Sequence, residues 1–282
     1  MIFLGVDSML RFNLRGGLGN QLFIIATAVE FSIKLSTPIV FIERQLQVDK
    51  KRSSRLIDLG LIPNILYMPS LSKNSIDFEK ILSEPVNATQ IIDYWGQKYT
   101  DLFIDVNKKS VELNGYFQSA KFFTHTFDNF LNYLRNKLLL IDSSQNRTVF
   151  QIRLGDLARD RDIRRIHGYC HDSYWIKSLN MLSPEASVPI VITDDASGIK
   201  KFLPNFNFHM ERNNFEISAA SDIEDLALMA NSKERVISNS TFGWWGSHLA
   251  GGGITIAPRN WFNEYRLLTA SEDLQNPEWL YI

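Results

Sequence analysis

The first residues with chemical potential form a glycine turn, Gly16–Gly19, that is followed directly by Asn20 and Gln21. Glycines such as Gly17 permit tight turns and let peptide N–H groups approach a phosphate or a sugar closely. The spacing is neither a dinucleotide fingerprint, because Leu22 stands at the position of its third glycine, nor a P-loop. The residues alone leave two interpretations open, a plain strand-to-helix turn and a ligand contact.

A second group is the motif QIRLGD, Gln151 to Asp156, in which Arg153 ends a predicted apolar strand. A permanent charge is unusual at such a place unless it has a partner. The planar fork of donors on an arginine suits a phosphate. A salt bridge from Arg153 to Asp156 or Asp195 is the alternative, and the residues alone favour neither.

A third group, Asn239, Ser240 and Thr241, lies between a predicted strand and a predicted helix. Hydroxyls and helix N-terminal amides can together hold an anion, although helix capping by Ser240 or Thr241 is the simpler interpretation. The tryptophans Trp244 and Trp245 are predicted to belong to the core, with a sugar-stacking face as the alternative.

The elements that position these groups alternate between short β-rich runs and longer helical runs, which predicts an α/β fold. Strands are predicted at Met9–Arg15, Pro38–Glu43, Thr148–Leu154, Val188–Thr193, Arg235–Ser238 and Ile254–Ala257. Helices are predicted at Asn20–Lys34, Phe122–Leu140, Ser173–Leu182, Asp222–Ala230 with Ser221 as its cap, and around Trp245–Leu249. Asn114-Gly115 is predicted to be a turn.

The polar groups follow predicted strands. Ligands of open α/β sheets lie beyond the carboxyl ends of the strands. We therefore expect one shared site formed by Gly16–Gln21, Arg153–Asp156, Asp194-Asp195 and Asn239–Thr241.

A linker-like stretch, Asp142–Asn146, separates two sets of alternating elements. The simplest architecture is two Rossmann-like halves, residues 1–145 and 146–282, that face a cleft.

Composition narrows the class of protein. Thirty basic against 31 acidic residues give a net charge of −1, which argues against a nucleic-acid-binding protein. One cysteine, Cys170, allows neither an internal disulfide nor a Cys-rich zinc site. The N-terminal residues make a poor signal peptide, and no uninterrupted apolar run approaches the ~20 residues of a membrane span.

Seven segments together resemble the ordered motif series of the α-1,2-fucosyltransferases of glycosyltransferase family eleven, bacterial type. The resemblance runs from about Gly16 to Phe262 and is weak between Arg44 and Asp93. The segments are GGLGNQLF, LNGYFQSAKFF, VFQIRLGD, HGYCHDSYW, VITDD, DLALMANSKERVISNSTFGWWGSHLA and TIAPRNWF.

The resemblance implies a GT-B-type architecture and transfer of L-fucose from GDP-β-L-fucose, with inversion and without a metal or other cofactor. The product would be an α-1,2 linkage, with O2 of a β-galactoside as the expected acceptor hydroxyl. Residues 146–282 would hold the donor and residues 1–145 would face the acceptor. The implied donor contacts are Gly17, Asn20, Gln21, Gln151, Arg153, Asp194, Asn239, Ser240, Thr241 and Phe242.

The family pattern has a histidine and a second arginine where this chain has Gln151 and Leu154. Glutamine cannot carry charge, and leucine removes a cation. Four arginines of the following loop, Arg159 to Arg165, could compensate, although a solvated charge run is the default interpretation. Asp156 is the first candidate for a general base, ahead of Asp160 and His167.

Other functions remain open at this stage: a transferase for another nucleotide sugar or linkage, or a non-catalytic glycan- or nucleotide-binding homologue. The acceptor is expected to be an oligosaccharide or a lipid-linked glycan, selected by the regions Arg44–Asp93 and Arg159–His167. Resemblance to bacterial members implies a cytoplasmic protein in peripheral contact with the inner membrane face.

Overall fold

The computed structural model describes residues 9–49, 52–60, 90–96, 98–105, 107–108, 110–138, 147–182 and 188–282. The chain divides into two compact units, Met1–Phe130 and Leu131–Ile282. The predicted linker and the predicted boundary after residue 145 lie outside the described residues, as does much of the region from Arg44 to Asp93.

The described part of the first unit contains a parallel four-stranded sheet in the order β2-β1-β4-β3. Its strands are β1 (Met9–Asn13), β2 (Ile39–Ile42), β3 (Gln90–Tyr94) and β4 (Ser110–Gly115). Its helices are α1 (Leu18–Leu35), α2 (Arg44–Val48), a 3-10 helix (Ala120–Phe123) and the start of α3 (Phe127–Leu138).

Helix α1 is the core helix of this unit. It is long and apolar enough to cross a membrane, with 18 residues and a mean hydropathy of 1.2, but 67% of it is buried inside the protein. Its one buried acid, Glu30, accepts hydrogen bonds from the backbone N–H and hydroxyl of Thr126, both at 3.0 Å, and contacts His125 Nδ1 at 2.8 Å. This contact fixes a turn, so the single helix predicted over Phe122–Leu140 is wrong at its start.

The second unit contains a parallel six-stranded sheet in the order β10-β9-β8-β5-β6-β7. Its strands are β5 (Thr148–Ile152), β6 (Ile190–Thr193), β7 (Glu216–Ile217), β8 (Glu234–Ile237), β9 (Ile254–Ala257) and β10 (Leu280–Tyr281). Counted from β5, this is the 3-2-1-4-5-6 order of a doubly wound nucleotide-binding sheet.

The helices of the second unit connect these strands. They are α4 (Gly155–Arg159), α5 (Arg161–His167), α6 (Asp172–Leu179), α7 (Ala196–Phe202), α8 (Pro204–Arg212), α9 (Asp222–Asn231), α10 (Thr241–Leu249) and a 3-10 helix (Tyr265–Leu274). The predicted cap of α9 is confirmed, since Ser221 and Glu224 form a capping box.

The α/β fold class, with two Rossmann-like units, is confirmed. The prediction of a turn at Asn114-Gly115 is wrong, because both residues end β4. Glycine is required at 115 because a Cβ there would lie 2.1 Å from the carbonyl oxygen of Tyr94.

Candidate functional site

The site of the second unit is built where strand order reverses, between the neighbouring strands β5 and β8. Loops that leave two such strands in opposite directions open a crevice at the carboxyl edge of the sheet. Arg153 follows β5, and the segment Ser238–Ser240 follows β8. The structure thus brings the second and third predicted groups together.

The charged part of this site is the pair Arg153 and Asp156. Arg153 Nη2 lies 3.3 Å from both carboxylate oxygens of Asp156, and their side chains are 27% and 34% exposed. The alternative of a salt bridge from Arg153 to Asp156 is therefore confirmed, whereas the phosphate contact stays a prediction, for which the side chain still reaches solvent. In this arrangement Asp156 orients the guanidinium.

A buried relay fixes the backbone of Arg153. Its N–H donates to Ser238 Oγ at 3.2 Å, and that hydroxyl donates to Gln151 Oε1 at 2.9 Å. Gln151 is only 5% exposed. The structure does not place Gln151 at the open rim as a ligand contact; it supports Arg153 from within the sheet.

The side chain of Asn239 likewise forms hydrogen bonds within the protein. Its Nδ2 donates to the carbonyl oxygens of His167, at 2.7 Å, and Trp261, at 3.1 Å, while its Oδ1 faces the thiol of Cys170 at 4.0 Å. Both amide protons are used within the protein, so the side chain has no free N–H for the predicted donor contact, which stays a prediction. Asn239 instead joins the ends of β8 and α5 to the segment after β9.

The start of α10 is the place where the sequence predicts an anion-binding site. Ser240 is the N-cap residue, but its side chain forms no capping hydrogen bond. The simple capping interpretation of Ser240 is therefore wrong, and Thr241, as the first helical residue, is not the cap either. An α-helix leaves its first N–H groups without intrahelical partners, and its dipole favours an anion there. Phe242 is half-buried beside them.

The aromatic pair of α10 belongs to the core. Trp244 and Trp245 are 1% and 0% exposed, and Trp244 Nε1 donates to Leu274 O at 2.9 Å. The alternative of a sugar-stacking face is wrong for both.

The two aspartates after β6 hold neighbouring backbone. Asp194 Oδ1 accepts from the N–H groups of Leu154 and Gly155, at 2.9 and 3.2 Å, although the residue is exposed. Asp195 caps α7 and contacts Arg159 Nη2 at 2.7 Å. The alternative bridge from Arg153 to Asp195 is therefore not formed.

The glycine turn belongs to the first unit. Gly16 has a φ of +74°, and a Cβ there would lie 2.5 Å from Asn20 Nδ2. Asn20 Oδ1 accepts from Gln118 Nε2 at 2.8 Å, and Asn20 stays half-buried. Gly17 is open, with nothing within 4 Å of a Cβ.

Gln21 is fully buried and fully bonded. Its Nε2 donates to Gly16 O and Ser53 O at 3.0 and 2.9 Å, and its Oε1 accepts from Arg55 N–H at 2.9 Å. The side chain thereby fixes Ser53 and Arg55 to the glycine turn, and the predicted ligand contact from Gln21 stays a prediction.

Sequence reasoning missed a cavity of about 880 Å³ in the second unit. Segments that follow β5, β8 and β9 line it, His167 among them. Burial, followed by the charge of Arg153, lowers the pKa of His167, whereas Asp156 raises it less. His167 is therefore a half-buried imidazole whose neutral form is favoured by burial and by the charge of Arg153.

The basic stretch Arg159–His167, predicted to be a loop, forms helices α4 and α5. Its cations differ in role. Arg159 pairs with Asp195, whereas Arg161, Arg164 and Arg165 line the cavity.

No cluster of three or more His, Cys, Asp or Glu side chains suited to a metal ion occurs among the described residues.

Comparison with known proteins assigns the class. The sequence model of the family described as glycosyl transferase family 11 matches residues 9–282. The chain belongs to this family and is a glycosyltransferase.

Two curated relatives from Escherichia coli are similar over nearly their full lengths. One, an alpha-1,2-colitosyltransferase, is 26% identical over 271 residues, which cover 90% of this chain and 92% of that protein. The other, the O-antigen biosynthesis glycosyltransferase WbnK, is 26% identical over 285 residues, which cover 88% and 93%.

Solved structures resemble the chain more distantly. NodZ alpha-1,6-fucosyltransferase, known from Bradyrhizobium, was co-crystallised with GDP and is 14% identical, with a TM-score of 0.44 over 86% of this chain and 93% of that one. A mutant of Arabidopsis thaliana FUT1 in complex with GDP is 13% identical, with a TM-score of 0.45 over 89% and 70%.

The relay under α10 gives a testable prediction. A Cβ at Gly243 would lie 2.6 Å from Gln151 Oε1 and 3.0 Å from Ile237 Cβ. We expect Gly243→Ala to lower the free energy of unfolding by about 1–3 kcal/mol through overpacking, measured by urea unfolding. Gly251→Ala is the control, because nothing lies within 4 Å of its Cβ. Equal unfolding midpoints for the two variants would show that α10 is not closely packed against Gln151 and Ile237 at Gly243.

Proposed function

We propose that the protein transfers L-fucose from GDP-β-L-fucose to O2 of a β-galactoside, inverting the anomeric carbon without a metal ion. The observation that carries this proposal is that Arg153 follows β5 and that α10, whose N-cap side chain forms no capping hydrogen bond, follows β8. These are the two neighbouring strands at which the strand order of the sheet reverses. A diphosphate at that point meets a guanidinium and helix amides together.

The proposed linkage and donor sugar are inferred from the names of the curated relatives. One curated relative is named for α-1,2 transfer of colitose, and the other for O-antigen biosynthesis. Colitose is L-fucose without its 3-hydroxyl group, so GDP-colitose is the second candidate donor. The O-antigen name also supports a glycan acceptor, including a lipid-linked one, used by a cytoplasmic enzyme at the inner membrane face.

In the proposed reaction the acceptor oxygen attacks C1 of fucose opposite the diphosphate. The bond from C1 to the diphosphate oxygen breaks, and the leaving GDP gains negative charge. Arg153 and the first amides of α10 stabilise that charge. The Asp156 carboxylate and the Gln151–Ser238 relay hold Arg153 in position.

The acceptor hydroxyl must lose its proton during this attack. Asp156 remains a candidate, but its ion pair with Arg153 favours a positioning role. His167 is the better candidate for the base, because it lines the cavity and its lowered pKa favours the neutral form.

A donor panel tests the proposed function. With a β-galactoside acceptor in excess EDTA, GDP-fucose should give transfer, whereas GDP-mannose, UDP-sugars and dTDP-sugars should not. Preference for GDP-colitose would establish the second candidate. Strict dependence on Mn²⁺ or Mg²⁺ would overturn the metal-free scheme. Binding of labelled GDP-fucose without release of GDP would indicate a non-catalytic homologue.

Arg153→Ala should remove transfer and weaken GDP binding without unfolding the protein. The remaining activity should be below about a tenth of wild type, a loss above ~1.4 kcal/mol of transition-state stabilisation. Arg212→Ala is the control, because it removes an exposed cation from α8 in the same unit. Near wild-type kcat/KM for Arg153→Ala would refute the assigned role.

The pH profile tests His167. A base must be unprotonated, so kcat/KM should be flat above the ordinary histidine pKa of about 6.5 and fall below it, through the lowered pKa. His167→Gln should lose this acidic limb and about 10²-fold in kcat. His209→Gln, altered in α8, should keep the wild-type profile. An unchanged acidic limb in His167→Gln would place the base elsewhere.

A further inference from the structure

The cavity next to His167 carries an excess of positive charge. Its lining includes five permanent cations and one carboxylate side chain, Asp162; the cations are Arg161, Arg164, Arg165, Lys177 and Arg259. Within the described part of the chain, Arg164 is the only one of these five cations whose side chain forms a hydrogen bond. It donates to Ala158 O at 2.9 Å. A concave site lined by one sign of charge attracts ions of the opposite sign.

The arginines of α5 are close enough to repel one another. Arg161 has Arg164 and Arg165 three and four positions later, so all three share a helix face. Like charges at these spacings destabilise a helix. The helix C-terminus offsets this only for the residues of its last turn. An anion bound in the cavity would relieve this repulsion.

The cavity is held open by specific bonds. The carbonyl of Ile166, at the end of α5, accepts from the N–H groups of Asn263 and Glu264 at 2.9 and 3.1 Å. Asn239, 7% exposed, ties His167 to Trp261 at the cavity floor. The cations of α5 and Arg259 are therefore presented to the same space by fixed backbone.

The lining also suits a sugar. Tyr169, Tyr174 and Phe262 supply aromatic surface beside the cations. The volume of about 880 Å³ falls within the range of small-molecule sites and has room for a sugar with a charged substituent.

The cavity is separate from the proposed diphosphate position yet adjoins it. Arg153, Ser240 and Thr241 are absent from its lining, and Asn239, which is present, has no amide proton left for a ligand. His167 lines the cavity and feels the charge of Arg153. A molecule in the cavity that reaches His167 would therefore lie near the proposed diphosphate position, where the acceptor must be.

We propose that this cavity binds an anionic group, phosphate or carboxylate, carried by the acceptor glycan. This inference rests on the proposed function and names the class of acceptor, a negatively charged saccharide. The anion would lie among Arg161, Arg165 and Arg259, and the sugar would extend toward His167.

The test compares three probes: methyl β-galactoside, its 6-phosphate, and the corresponding methyl galacturonide. Each is titrated calorimetrically into the full-length protein saturated with GDP. At least one charged probe should bind about tenfold more tightly than the neutral one. Preference for the phosphate indicates a phosphorylated or lipid-diphosphate acceptor, and preference for the galacturonide indicates an acidic sugar.

The variant with Arg161→Gln, Arg165→Gln and Arg259→Gln should lose this preference and keep wild-type affinity for GDP. The matched control removes three exposed cations elsewhere in the same unit, by Lys200→Gln, Lys201→Gln and Arg212→Gln, and should keep the preference. Circular dichroism and the midpoint of thermal unfolding report whether the variants are folded.

Three results would overturn the proposal: equal affinity of wild type for all probes, a preference that survives in the triple variant, or a loss of GDP affinity in that variant. The last result would assign the cavity to the donor. These three results come from binding measurements and do not require transfer of a sugar. Failure of the donor panel would therefore refute the proposed function independently of this proposal.

Discussion

One buried primary amide organises the site of the second unit. Asn239 has two amide protons and gives both to carbonyl groups from separate segments, one at the end of α5 and one after β9. Its oxygen faces Cys170, at the start of a third segment. Because a buried polar atom without a partner is costly, these segments can move apart only at considerable cost. The cavity and the position of His167 both depend on this side chain.

Polar residues of the site differ in whether they bond within the protein, as Asn239 does, or reach solvent. Gln151 and Arg153 lie on one face of the chain, two residues apart. Gln151 still pairs in register with Ile192 and Ile237 inside the sheet, whereas Arg153 lies one position beyond the last paired residue of β5. The first is therefore covered and structural, and the second reaches solvent. A shift of one pairing position would turn both side chains to the opposite face of the sheet.

This explains how much the sequence could predict. The strands of both units that have strong apolar runs, and the rim on which Arg153 and Ser240 lie, follow from local pattern. Which polar residue faces a ligand does not, because it depends on where pairing stops and on partners far along the chain. Gln21 illustrates this, since its partners include Ser53 and Arg55. The cavity is harder still, because residues 161–177 and 258–263 meet only through tertiary hydrogen bonds.

The thiol at the floor of the cavity has a consequence for the study of ligand binding there. Cys170 is the sole cysteine of the chain, and burial raises its pKa to about 12. A neutral, covered thiol reacts slowly with alkylating reagents. Cys170 also lines the cavity, so the rate of its labelling in the native protein reports the access of a reagent to that cavity. A ligand bound there would slow the labelling, which makes this single thiol a reporter of occupancy without an introduced label.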